Sequence, residues 1–434
     1  MNNTSYKFIP CYLFFLITLF STGQLYAQKN IEKYVRENTV AIPTISPDST
    51  NYADLEAFGN AIGNSRIVML GEQYHGDAPT FLAKTRLVKY LHEKKGFNVL
   101  AFESDFFGLN YEWDRLNKTK PLIDSFINEN IFGIWTQCNT CSNLFQQYIP
   151  GSFNTGTPLQ LTGFDSQLFL NYSVKHVTAK VDSVIRVLQL PISLRPDYLT
   201  EILPYIDTLN RTKNAGKDSS LFNKRNLYLT EVKDEMSKKL NPNDFWMMVI
   251  DNMIAENLEL KYVGRDFWKE SNARDKQMAE NLKWLSKVKY PNQKIIVWAH
   301  SYHISKYNGH YPESFLNNAT SMGGIFTTDT AIMNKTYILG FSSYEGTAGR
   351  IQSKKYKLPK PPSYSFENWI NTAYNFAFVD FKKYNLTWPG ANEMFSMSAS
   401  IKTPGTHTSS QAVWTKVFDG VFYIKEMYAC EDTK

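Results

Sequence analysis

The run Arg66-Ile67-Val68-Met69-Leu70, broken at once by Gly71-Glu72-Gln73-Tyr74-His75-Gly76, is the stretch from which the fold is read. A short apolar run with no alternation suits a strand buried on both faces, as in a parallel sheet. Helical spacing follows from about Pro79 to Lys95, carried by Phe81, Leu82, Leu87, Val88 and Leu91, and Gly96 ends it. Phe97 to Phe102 is a second apolar run and stops at Glu103-Ser104-Asp105. Strand, helix and strand at these lengths predict a parallel βαβ crossover.

The same grammar extends in both directions. Leu55, Phe58 and Ile62 mark a short amphipathic helix upstream, after a loose Pro- and Ser-containing stretch. Leu159 to Phe164 reads as a strand ending at Asp165, and Lys294 to Trp298 as a strand ending in Ala299-His300-Ser301-Tyr302-His303. Further strands are expected at Tyr337 to Phe341, Ala377 to Phe381 and Val421 to Ile424. The stretch from about 172 to 290 is largely helical and too long for one crossover, so part of it is expected as an inserted helical cap. The fold class is therefore α/β, a mainly parallel sheet flanked by helices, within one domain over 51–434.

The N-terminus reads as an export address. Lys7 precedes an apolar run from Phe8 to Phe20, and Leu25-Tyr26-Ala27 offers a small-residue exit. Residues 1–27 are expected as a signal peptide and 28–50 as a leader, giving an exported protein, periplasmic or secreted. The apolar run is shorter than the roughly 20 residues that a membrane span needs, and nothing downstream reads as a second segment. The 434 residues carry a net charge of +6 with lysines and acids interspersed, which excludes a basic nucleic-acid patch. Aromatics at 15% point to an aromatic core, an apolar pocket, or both. Cys138-Asn-Thr-Cys141 is a lone C-x-x-C, for which a local disulfide or two unpaired thiols are expected.

Ligands of open parallel sheets bind outside the carboxyl ends of the strands. Here one strand ends at Glu72 and His75, the next at Glu103, another at Asp165, and another at His300 and His303. Four strands that each deliver an acid or imidazole to that edge make a pocket. A histidine held by a carboxylate keeps one ring nitrogen free as an acceptor, and can draw a proton from water attacking an ester carbonyl. A second carboxylate would orient the base or the water, and a second imidazole or a lysine would stabilise the oxyanion. Neither G-x-S-x-G nor H-E-x-x-H is present, so activated water suits this set better than an acyl-serine. Arg274 and Asp275 either brace the site or form a structural ion pair between helices, and the ion pair is the favoured reading. His92, His176, His310 and His407 lie away from strand ends and are assigned nothing.

These residues carry a family resemblance. Gly71-Glu72-Gln73-Tyr74-His75-Gly76 resembles the G-E-x-x-H-G opening of the erythromycin esterase family. Arg274-Asp275-Lys276-Gln277-Met278-Ala279-Glu280-Asn281 resembles its R-D-x-x-M-A-x-N helix, and Trp298 to His303 its W-A-H-N-x-H strand end, with Ser301 in place of asparagine. The resemblance runs from about Asp54 to Ile424. It implies an ester hydrolase that opens a macrolide lactone, or a related carboxylic ester, by activated water. His75 would be the general base, Glu72 and Glu103 its orienting carboxylates, and His300 and His303 the rest of the site. Lys84 would occupy a position that is basic in the family. No cofactor is expected, and the partner is a small ester or lactone.

Two other classes compete. The same donors could serve a metal-dependent hydrolase, although no tight ligand spacing such as H-x-H-x-D stands out. An exported haem- or metal-binding protein without turnover is the other.

Overall fold

The computed structural model describes residues 30–207, 219–306, 319–399 and 409–433; the expected signal segment 1–27, His310 and His407 lie outside them. Eleven strands are present among the described residues. In chain order they are β1 (Val40–Ala41), β2 (Ile67–Leu70), β3 (Phe97–Asp105), β4 (Gln160–Asp165), β5 (Lys294–Trp298) and β6 (Thr336–Ala348). β7 (Tyr356–Lys357), β8 (Phe376–Asp380), β9 (Phe395–Met397), β10 (Ser410–Ala412) and β11 (Gly420–Met427) complete the set.

The main sheet runs β1-β8-β11-β6-β2-β5-β3-β4, with β7 attached to β6. Its six central strands, from β11 to β4, pair in parallel, while β8 joins β11 antiparallel and β1 joins β8 antiparallel. The stretch expected as a loose leader is thus partly tied down: residues 30–38 are helical, and Val40 and Ala41 pair with Phe378 and Ala377.

Both faces of the central strands are covered, which is why they are apolar without alternation. Ile67, Met69, Val99, Ala101, Ile295 and Val297 enter one core with the helices Phe245–Tyr262 and Phe267–Trp284. Val68, Leu70, Leu100, Phe102, Ile296 and Trp298 enter the other with the helix Ala78–Lys95. That helix starts with Pro79 in its first turn, where the missing N–H costs nothing. It ends at Gly96, whose φ of 73° is left-handed and favours glycine. Between β4 and β5 the chain forms a series of helices, of which Phe267–Trp284 packs against β4 and returns the chain to the sheet centre.

β5 lies between β2 and β3. The carboxyl ends of β2, β5, β3 and β4 are therefore neighbours, in that order, although the chain visits them over more than half its length.

The expected local Cys138–Cys141 pairing is not what forms. Cys138 bonds Cys430, 292 residues away, and Cys141 is a free, buried thiol. Residues 428–433 run alongside the 137–139 segment as an extended strap and bring the two sulfurs together.

Candidate active site

The loop after β2 turns sharply. Gly76 lets it do so, because a Cβ there would stand 2.2 Å from the Gly349 carbonyl oxygen. This turn puts His75 over Glu72, with Nδ1–H donating to Glu72 Oε1 at 2.8 Å. A carboxylate only accepts, so the bond assigns the proton to Nδ1 and leaves Nε2 an acceptor. His75 Nε2 makes no hydrogen bond to the described residues, and the ring lines a cleft.

Glu72 is wholly buried, and three donors saturate it. Besides His75, Trp135 Nε1–H donates to Oε1 at 3.0 Å and Lys84 Nζ to Oε2 at 2.6 Å. Lys84 is itself inaccessible to solvent and sits over the Trp298 ring, 4.2 Å from its centroid. Burial pulls its pKa below the ordinary lysine value, against the pull of Glu72. The lysine supports the carboxylate from behind and does not reach the cleft.

His300 plays a different part. Its Nε2–H donates to the Gln73 carbonyl at 3.0 Å, and its Nδ1 accepts from the Tyr302 N–H at 3.1 Å. Both nitrogens are spent on main chain. Enclosure, with His75 and His303 as neighbours, drives its pKa well below the usual histidine range, so the ring is neutral. It is a spacer that ties the β2 loop to the β5 loop.

His303 is held the opposite way. Nδ1–H donates to Asp275 at 2.9 Å, and Nε2 lies 3.3 Å from Glu103 Oε1. Burial alone would lower its pKa, but the Asp275 and Glu103 carboxylates outweigh burial and raise it. These carboxylates favour the protonated ring, while Arg274 Nη1, 3.3 Å from His303 Nε2, opposes it. Glu103 also accepts the His300 N–H at 2.8 Å and Arg274 Nη2–H at 2.8 Å. Burial would raise the Glu103 pKa, yet His303 and Arg274 overcome this and hold it far below the carboxylate norm. Arg274 completes the frame through two bonds to Asp165, at 3.0 and 2.6 Å.

Every residue named from strand ends is thus gathered in one place, but their parts differ from the expectation. Glu103 does not touch His75; it organises His300, Arg274 and His303. Arg274 and Asp275 are not a pair bridging helices. Instead both meet His303, Asp275 at Nδ1 and Arg274 Nη1 at Nε2, 3.3 Å away. Trp135, the donor to Glu72, has no signal in the sequence beyond being one of many aromatics. Arg274 and Asp275 did have one, the R-D-x-x-M-A-x-N likeness.

The cleft holds about 300 Å³ and is lined by His75, His300 and His303 together with Tyr74, Trp268 and Tyr302. A larger depression of about 540 Å³ lies beside His92 and Tyr148. None of the strand-end acids or imidazoles lines it, so the chemistry selects the smaller cleft.

The donor set does not suit a metal. The oxygens of Glu72 and Glu103 and both nitrogens of His300 are already bonded, and the buried Lys84 and the half-buried Arg274 already balance these carboxylates. Among the described residues no group of three or more His, Cys, Asp or Glu side chains is arranged to hold an ion.

A parallel α/β sheet with a buried acid–imidazole pair and a second imidazole held by two carboxylates at its carboxyl edge is the frame of a hydrolytic site. The erythromycin esterase family profile matches residues 92–427, and the chain belongs to that family. YbfO of Bacillus subtilis (strain 168) is 27% identical over 394 residues, 86% of each chain. Erythromycin esterase type I of Escherichia coli is 24% identical over 299 residues, 64% of this chain and 70% of that one. A mutant of the erythromycin esterase EreC in its open conformation superimposes with a TM-score of 0.67 at 15% identity, over 90% of this chain and 98% of that one. At that identity the superposition speaks for the fold alone.

Proposed function

We propose that this chain hydrolyses a carboxylic ester, a macrolide lactone or a chemically related one, with water activated at His75 Nε2. The observation that carries the reading is the 2.8 Å bond between Glu72 and His75 Nδ1, which leaves Nε2 as the acceptor facing the cleft. Water in the cleft gives its proton to Nε2 as its oxygen bonds the acyl carbon. The resulting oxyanion is stabilised by the positive charge at Arg274 and His303, whose side chains meet at 3.3 Å. Collapse breaks the acyl–oxygen bond, and His75 returns the proton to the leaving alkoxide, giving an acid and an alcohol, or a hydroxy acid from a lactone.

Lys84, Trp135 and Glu72 fix the base, while Arg274, Glu103 and Asp275 fix His303. The aromatic side chains Tyr74, Phe267, Trp268 and Tyr302 give the cleft apolar walls suited to a bulky acyl group.

The test is incubation of purified protein with erythromycin and an ester panel, with and without chelator, followed by mass spectrometry. Addition of one water, lost in His75→Ala and indifferent to chelator, is the expected result. Turnover abolished by chelator would instead place a metal at the centre. No turnover of any ester, with haem or metal carried on the purified protein, would favour the binding-protein class.

The proposal extends to location. The charge, apolar run and small-residue exit of residues 1–27 support export, and a Cys138–Cys430 disulfide suits an oxidising compartment. Among the described residues no helix is long and apolar enough to cross a membrane. N-terminal sequencing of protein from the cell envelope and the medium tests this, with a start near Gln28 expected.

A further inference from the structure

The C-terminal strap, residues 428–433, runs between the loop that carries His75 and the segment that follows Trp135, the second donor to Glu72 Oε1. On one side Ala78 N–H donates to the Tyr428 carbonyl at 3.1 Å, and Cys430 N–H to the Gly76 carbonyl at 2.8 Å. Gly76 directly follows His75. On the other side Asn139 N–H donates to the Glu431 carbonyl at 2.9 Å, and Thr433 N–H to the Gln137 carbonyl at 3.0 Å. Gln137 is two residues from Trp135, whose short helix Gly133–Thr136 leads directly into this pairing. The Cys138–Cys430 bond locks the strap to that second segment.

Trp135 then reaches the chemistry twice. Its Nε1–H shares Glu72 Oε1 with His75 Nδ1, and its ring meets the His75 ring edge-on, 5.7 Å between centroids. An oxygen held by two fixed donors cannot swing away from either. Trp135 has no exposed surface, so its position is set by the backbone that carries it.

We propose that the strap, locked by Cys138–Cys430, is a positioning element of the esterase site, keeping Trp135 and the His75 loop in register so that Glu72 stays aimed at His75 Nδ1. Cys138, Cys430 and Trp135 are positioning residues; none touches substrate. The proposal rests on the reading of His75 as the base, and its test separates the two.

The experiment uses the full mature chain carrying Cys141→Ser, which removes the third thiol that could exchange with the bridge. Three forms are compared with it: Trp135→Phe, which keeps the ring and loses the N–H; Cys138→Ser with Cys430→Ser; and all of these together. Turnover of the best ester from the panel gives kcat and KM. Histidine-selective NMR follows the His75 ring through a pH titration, whether or not any ester is hydrolysed.

The expected result is a fall in kcat of about tenfold in Trp135→Phe and in the cysteine pair, with KM within about twofold. The combined form should be no worse than either, since both changes act through one route. The His75 resonances should shift in each. A cysteine pair that loses thermal stability but keeps kcat and the His75 titration would overturn the proposal, leaving the bridge a plain staple. If the cysteine pair fails to fold, Trp135→Phe decides with the bridge intact: unchanged kcat and unchanged His75 resonances refute it. Shifted His75 resonances in a protein that turns over no ester would sustain the positioning and sink the esterase reading.

Discussion

His75 and His300 face each other with ring centroids 5.0 Å apart, yet only one of them has a nitrogen to spare. Glu72 occupies Nδ1 of His75 and leaves Nε2 to the cleft, whereas main chain occupies both nitrogens of His300. Two imidazoles in one site thus divide into one with an unbonded acceptor and one braced by main chain. His75→Ala should lower kcat by about 10²–10⁴-fold, the usual contribution of a general base, with little change in melting temperature. His300→Ala strands the Gln73 carbonyl and the Tyr302 N–H, and should cost about 1–3 kcal/mol for each group left unpaired. Steady-state kinetics beside thermal melts separate the two.

Lys84 and Glu72 form an ion pair with neither partner exposed. Removing one member of such a pair leaves a charge in the core and costs roughly 3–5 kcal/mol. Lys84→Met should therefore lower stability sharply, and Lys84→Met with Glu72→Gln should recover part of the loss. Denaturant titration of the single and double variants measures this. Activity should return in neither, since the amide cannot match the carboxylate's support of an imidazolium.

Burial raises Asp105, Glu259 and Glu367 to about 7. A carboxyl whose folded pKa lies above its unfolded value favours the protonated fold. Its contribution is fully present below the unfolded pKa and is lost as pH rises through about 7. Glu103 works in the other sense: its pKa is depressed, so its contribution holds above the unfolded value and is lost only in acid. Through these three carboxyls the melting temperature should rise as pH is lowered from about 8 to about 6, against the opposite pull of His92 and His300, whose depressed pKa values favour the neutral fold. Glu367→Gln keeps a group able to bond Ser342 and the Ser398 N–H and should flatten that slope. A steeper slope in the variant would contradict the assignment.

Cys138–Cys430 closes a loop of nearly three hundred residues. Its removal by Cys430→Ser should cost about 2–4 kcal/mol of stability, read as a shift in the denaturant midpoint under non-reducing conditions. Cys141→Ser changes no bond of this kind and should shift the midpoint by much less.

Arg274 bonds Asp165 twice and Glu103 once, in a fork that lysine cannot reproduce. Arg274→Lys should lower kcat by about tenfold while Asp165 and Glu103 lose part of their compensation. If kinetics stay at the parent level, the arginine is only a brace between helix and sheet.

Much of this was written along the chain. Lys294–Trp298 is the strand its apolar run predicted, and the runs ending at Glu72, Glu103 and Asp165 lie within two or three residues of the observed bounds, because burial on both faces leaves an unbroken hydrophobic signature. Strand order was not legible. Nothing local says that β5 enters between β2 and β3, and that insertion sets His300 against His75. Trp135 was hidden because a tryptophan that donates one hydrogen bond looks like any core aromatic. Asp275 was marked by the R-D-x-x-M-A-x-N likeness, but its partner was not, because His303 is near only after folding. Cys430 found Cys138 through a strap whose pairing is main chain to main chain, and backbone pairing carries no residue code.

The bond from His300 to the Gln73 carbonyl spans 227 positions. No fragment that ends before β5 can own this site, and no partly collapsed chain can own it either, since His75 follows β2 while His300 and His303 follow β5, more than two hundred residues later. Turnover therefore counts finished molecules. An assay of the proposed activity would report on chains in which β5 has entered between β2 and β3, and pass over those cut before it.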